Sequence, residues 1–217
     1  MKICRLAIIL IAAGGLACNI GNQPAAPGSG TAKTESRSLA GFKKIRAENA
    51  INLDITVQKE YKVSVQADDN LLPSVTTEVT GDTLVISLKD KVATKTKINV
   101  TISMPELTDL DLTGATTCTA TEVKTDKLEV DATGASKIKL AGEVNTLKAK
   151  AVGASGIDAE TLRAAKVEAE SDGASSVSVS ASNELKADAS GASSITYIGD
   201  PPELKQNVSD VSTIKKK

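Results

Sequence analysis

Between Phe42 and Met104 apolar and polar residues alternate with a period of two. Ile51, Leu53, Ile55 and Val57 are separated by Asn52, Asp54 and Thr56, and Val63, Val65 and Ala67 resume the alternation after the polar stretch QKEYK. Leu84, Ile86 and Leu88 follow TGD, and Ile98, Val100 and Ile102 follow KTK. Each run predicts a strand with one buried and one wet face. The stretch ADDNLLPSVTTEV is less regular and predicts a corner or loop ending at Pro73. No window of comparable length carries a helical period.

From residue 105 the pattern becomes a repeat. Glycines at Gly114, Gly134, Gly153, Gly173 and Gly191 are spaced by 20, 19, 20 and 18 residues. Two places after each comes a hydroxyl: Thr116, Ser136, Ser155, Ser175 and Ser193. Four places after comes Cys118, Ile138, Ile157, Val177 or Ile195. A sixth, degenerate unit centres on Asp210, with Leu204, Val208, Ser212 and Ile214 at the matching offsets. Asp is tolerable there because it enters the left-handed region more readily than most residues.

A fixed period near 20 predicts stacked units, because one unit cannot bury its apolar face alone. The expected architecture is all-β: a right-handed parallel β-helix or solenoid of about six repeats of ~19 residues, with a more irregular β N-terminal part. Each glycine marks a corner where positive φ or close backbone approach is needed. Small neighbours let the next coil sit at strand spacing, about 4.8 Å away. An antiparallel meander or sandwich is the rival, but it gives no reason for equivalent positions to hold equivalent residues. The columns Asp109, Glu129, Lys148, Glu168, Lys186, Lys205 and Asp111, Asp131, Lys150, Glu170, Asp188, Asn207 then face outward, their mixed signs relieving repulsion.

The N-terminus reads as an address. MKICRLAIILIAAGGLAC places Lys2 and Arg5 before an apolar run and small residues before Cys18. That run is too short to span a bilayer, which fits a cleaved signal over residues 1–17. GLAC resembles a bacterial lipobox, with Cys18 as the lipidation site and Leu16 one place later than in the commonest pattern. Residues 18–38, rich in Pro, Gly, Ser and Thr, read as a flexible tether, and 39–217 as the solenoid domain. The expected location is the bacterial envelope, at the outer membrane, with the membrane engaged through Cys18.

Composition narrows the chemistry. Of 217 residues none is His or Trp, one is Phe and two are Tyr. The commonest general base and the commonest nitrogen ligand of zinc are therefore missing. A formal net charge of −1 with interleaved signs offers no basic face for nucleic acid. Once Cys4 leaves with the signal and Cys18 takes lipid, Cys118 stands alone in an inward column, where it reads as a small core residue. The triplets NVT at Asn99 and NVS at Asn207 match the glycosylation pattern only as short motifs do, and no RTX-type calcium nonapeptide is present.

FKKI, VSVQADDNLL, GDTLVISL, INVTISMPEL, the LTGAT and TGAS repeats and GASSITYIGDPPEL together resemble the family of putative auto-transporter adhesins with a head GIN domain. The resemblance spans residues 39 to 214. It implies a β-solenoid on an exported, often lipid-anchored protein, and carries no catalytic residue or cofactor with it. The leading functional expectation is a non-enzymatic binding or structural module, an adhesin with an envelope or extracellular glycan or protein ligand. The alternative is a polysaccharide-active, pectinase-like β-helix enzyme using Asp111 and Asp131 beside Asp109 and Glu129, with no arginine expected near them. Tyr61 and Tyr197 are the only candidate sugar platforms.

Overall fold

The computed structural model describes residues 24–217, so the signal region and Cys18 lie outside the described residues. The N-terminal part supplies β1 (Ala26–Pro27), β2 (Ala32–Arg37), β3 (Lys44–Ala47), β4 (Asn52–Val57) and β5 (Lys62–Asp68). A 3-10 turn at Leu72–Ser74 leads into β6 (Val75–Thr80), β7 (Thr83–Leu88), β8 (Val92–Ala93) and β9 (Asn99–Met104). The repeats supply β10 (Asp109–Gly114), β11 (Thr117–Gly134), β12 (Lys137–Gly153), β13 (Gly156–Gly173) and β14 (Ser176–Ala189). Shorter strands end the chain: β15 (Ser194–Ile198), β16 (Glu203–Val208) and β17 (Thr213–Lys216).

The repeats stack in parallel, as a solenoid of about five turns. Gly114 pairs with Gly134, Gly134 with Gly153 and Gly153 with Gly173. Ile138 lies beside Ile157, and Ile157 beside Val177. The meander is thereby excluded. Each coil offers one strand segment after its corner glycine and another before the next, so the tower has two broad sheets. The long strands β11, β12 and β13 run through both, bending where the pairing slips between Ala120 and Val123, Lys139 and Ala141, and Ala159 and Arg163. Inward columns of Leu, Ile, Val and Ala fill the space between the sheets, including Leu128, Leu147 and Leu185 at 0% exposure. Each such Leu, Ile or Val contributes about 1.5–3 kcal/mol by burial.

The corners have a stereochemical cause. Gly114, Gly134, Gly153, Gly173 and Gly191 all have positive φ, from 73° to 90°. The Gly134 carbonyl accepts the Ala154 N–H at 2.7 Å, and a Cβ on Gly153 would lie 2.9 Å from that same oxygen. Glycine is required because the coil below leaves no room for a side chain. At the two ends the column holds other residues: Asn49 (φ 78°) under Gly114 and Asp210 (φ 60°) above Gly191. The hydroxyls two places on are buried and staple coil to coil. Ser155 Oγ donates to Ala132 O at 2.8 Å, Ser175 to Ala151 O at 3.0 Å and Ser193 to Ser171 O at 2.8 Å.

The first coil, β3 and β4 around Asn49, is separated in sequence from the second by a capping insertion. Below β4 lie β9, β5 and β2; below β3 lie β7 and β6. Strand β9 runs between β4 and β5, so QKEYK turns the chain without making a hairpin. TGD does make one, joining β6 to β7 with Thr80 opposite Thr83. Pro73 sits inside the 3-10 turn, and β6 begins two residues later.

Part of the stretch read as tether is folded. β2 pairs antiparallel with β5 from Arg37–Val63 to Ala32–Asp68. Asp68, at 0% exposure, latches the strand's start: its carboxylate accepts the N–H groups of Gly30 (2.7 Å), Lys95 (2.9 Å) and Thr96 (3.2 Å). Burial alone would push its carboxyl up, but these backbone donors outweigh it and hold the group below the ordinary carboxylate value. The composition of residues 24–38 is tether-like, so the strand depends on a partner edge that local sequence does not display.

Replacing Gly153 by Val imposes left-handed strain and a Cβ against Gly134 O, and is expected to cost about 3 kcal/mol or more in denaturant unfolding. Gly41 shares the positive φ (82°) but has nothing within 4 Å of its Cβ position. Gly41→Ala should therefore cost only about 1 kcal/mol.

Candidate functional site

The two broad sheets present different chemistry. On the sheet after the corners, the outer coils carry mainly hydroxyls and amides at outward positions, with a charged band of Lys137, Lys139 and Asp158 on β12 and β13 between them. β4 offers Asn52, Asp54 and Thr56; β9 offers Asn99 and Thr101; β11 offers Thr117, Thr119 and Thr121; β14 offers Ser176, Ser178 and Ser180. A side-chain ladder crosses the rungs near one edge. Asn52 Nδ2 donates to Asn99 Oδ1 at 3.0 Å, Asn99 Nδ2 to Gln66 Oε1 at 3.2 Å, and Gln66 Nε2 to Thr34 Oγ1 at 3.5 Å. Sequence reading passed over this face, although its signal lay in the polar half of each alternating run.

The opposite sheet is charged. Its outward columns stack as expected, Asp109 beside Glu129 and Asp111 beside Asp131, with Glu129 next to Lys148. Ion pairs bridge the coils: Lys148 to Glu129 at 3.1 Å, Lys150 to Glu170 at 2.9 Å and Lys186 to Glu168 at 2.7 Å. Such half-exposed pairs each contribute under about 1 kcal/mol.

The four carboxylates singled out for chemistry do come together on adjacent rungs. The expectation of no nearby arginine is overturned: Arg46 on β3 donates to Asp111 Oδ2 at 2.9 Å. It arrives from the first coil, whose register with the repeats the sequence spacing does not disclose. Asp111 and Glu129 thus have cationic partners, while Asp109 and Asp131 make no ion pair among the described residues. Desolvation, then the neighbouring Glu129, raises the carboxyls of Asp109 and Asp131 above the ordinary value. The group lies on a sheet face, not in a cleft. No set of three or more His, Cys, Asp or Glu among the described residues is arranged to hold a metal ion.

Other sequence-derived candidates are absorbed by the core. Cys118 is 1% exposed, and burial pushes its thiol far up, away from any nucleophilic role. Tyr61 packs on Phe42 with ring centroids 5.0 Å apart and donates to Phe42 O, and Tyr197 is 7% exposed in an inward column. Neither offers a sugar platform. The hydroxyl column at the corners is spent on backbone carbonyls and presents nothing to a ligand.

A model of the family described as putative auto-transporter adhesin, head GIN domain, matches residues 41–201. The chain belongs to this family. Solved structures share the fold. A putative adhesin from Bacteroides fragilis superposes with a TM-score of 0.72 at 23% identity, covering 88% of this chain and 99% of that one. A putative lipid binding protein from Parabacteroides distasonis gives 0.58 at 20% identity over 89% and 100% of the two chains. A putative adhesin from Parabacteroides merdae gives 0.52 at 18%, over 88% and 98%. None of the curated proteins matches the chain. At these identities the neighbours establish architecture and leave the ligand of this head GIN domain to its own surface.

Asp131 provides a check on the charged face. Its folded pKa is raised, so folding favours the protonated carboxyl; that stability is present at low pH and is lost as pH climbs through the raised value. Asp131→Asn should raise Tm by about 1–2 °C at pH 7, and the gain should vanish below about pH 4. Thermal melts of both proteins across pH read this directly.

Proposed function

We propose that this head GIN protein is a non-enzymatic, exported lipoprotein, held at the outer membrane through Cys18 and acting as an adhesin-like binding module. The observation that carries the reading is the surface itself: two broad sheet faces on one tower, one of hydroxyls and amides crossed by the charged band of Lys137, Lys139 and Asp158, the other of interlocked charges. Such faces suit contact with an extended envelope or extracellular glycan or protein. Family membership supports an envelope or surface setting.

A second reading, a polysaccharide-active enzyme, draws on the raised carboxyls of Asp109 and Asp131 and on Arg46 nearby. General acid–base work needs the two carboxyls on either side of a bound sugar bond. Here they lie diagonally on adjacent rungs of one face, Asp109 opposite Glu129 and Asp131 opposite Asp111, and Arg46 is already engaged by Asp111.

Cys18→Ser should move the protein from the membrane to the soluble fraction, and unchanged sedimentation with lipid would overturn the anchor. The secreted Cys18→Ser protein should then bind immobilised envelope glycans or proteins in a screen without cleaving polysaccharides. Turnover that disappears in Asp131→Asn would establish the enzyme instead.

A further inference from the structure

The tower's two ends differ. At the N-terminal end β2, β5 and β6 run antiparallel and close the stack, and β2 points Lys33, Glu35 and Arg37 toward the side of Val63 and Val65. Charges on the inward side of an edge strand discourage further pairing. At the C-terminal end β17 is guarded by lysines: Lys215 and Lys216 lie within it, and Lys217 follows. β16 carries a single lysine, Lys205, on its outward side, and Gln206 between Leu204 and Val208 on its inward side. Among the described residues it pairs with β14 on one side only, and all six of its residues are exposed.

Three features of β16 match a rung waiting for another. Leu204 and Val208 continue the inward columns of Leu185 and Ala189, yet stand 44% and 53% exposed. Among the described residues the strand's outer backbone groups have no sheet partner. Lys205 also ends an ion-pair column. Lys44 meets Asp82, Lys148 meets Glu129 and Lys186 meets Glu168, but Lys205 sits above Lys186 and has no ion pair among the described residues. The neighbour below is a like charge, so a carboxylate on a further strand would be the complementary side chain at this position.

We propose that β16 is a docking edge for an extended strand of a partner protein. That strand continues the parallel pairing, with apolar side chains over Leu204 and Val208 and an acidic side chain over Lys205. Main-chain hydrogen bonds would supply affinity and the alternating side chains specificity. The inference rests on the binding-module reading and names the partner's chemistry. A second copy is the less suitable occupant. Turning one tower onto another head to head brings the Lys215–Lys217 segments together.

The test uses the secreted Cys18→Ser protein and two synthetic peptides, Thr-Val-Glu-Val-Thr-Val-Thr and its version with Lys in place of Glu. NMR titration with amide hydrogen exchange should show protection gathering at Glu203–Val208, with the Glu peptide binding about tenfold more tightly than the Lys peptide. Lys205→Glu should reverse that preference and Lys205→Gln should level it. Absence of protection at β16, or a preference indifferent to residue 205, overturns the proposal. So does concentration-dependent self-association abolished by Lys205→Glu, which would show a second copy filling the edge. The measurement needs no membrane, so its failure is distinct from failure of the anchor.

Discussion

Everything in this tower depends on how closely one coil can lie on the next at a single corner. The carbonyl oxygens of Gly114, Gly134, Gly153 and Gly173 each receive an N–H from the coil above at 2.7 Å, and the same oxygen stands 2.8–2.9 Å from where a side chain on the next corner would begin. Parallel pairing across both sheets can stay in register only if that contact is kept. Glycine recurs because it is the residue without the atom that would break it. The buried hydroxyl two places later secures the same joint by adding a second donor to a carbonyl of the coil below, as at Ser171 O, which accepts both the Ser190 N–H and Ser193 Oγ.

Thin side chains follow from the same constraint. Coils fixed at strand spacing admit Val, Ile, Leu and Ala between the sheets, and the few aromatics sit where coil geometry relaxes. Phe42 packs with Tyr61 by the N-terminal caps, and Tyr197 lies in the last full turn. With the interior given over to packing, chemistry is left to the outward positions. These run in straight columns, so charge and hydrogen bonding act along the tower as ladders. Asp109 and Asp131 make no ion pair among the described residues although Lys44 and Lys150 lie on the neighbouring rungs, and burial first, then Glu129, raises their carboxyls.

The repeats were legible in the sequence because stacking makes spacing and structure the same thing. The offsets that placed Ile138, Ile157 and Val177 in one column were enough to give the parallel register. The N-terminal part was legible only as strands. Its alternation marks which side of β4, β5 and β9 is buried, but says nothing of β9 running between the other two. The first corner, Asn49, was missed because an insertion of caps separates it from Gly114 and because Asn replaces Gly. Arg46 was missed with it, and so was the arginine–carboxylate contact on the charged face. β2 escaped notice for a different reason: after Ala32 all its side chains are polar, and what holds it is the edge of β5 and the buried Asp68 latch.

The interchangeability of interior coils carries a consequence for height. Each coil between Gly114 and Gly191 meets its neighbours through the same corner and the same columns, while the special residues sit only at the two extremities. Loss or duplication of one whole coil would leave every joint intact and move the far tip by a single strand spacing, about 4.8 Å. The domain is in effect a ruler with interchangeable divisions, whose reach can change over generations without redesign of either terminus.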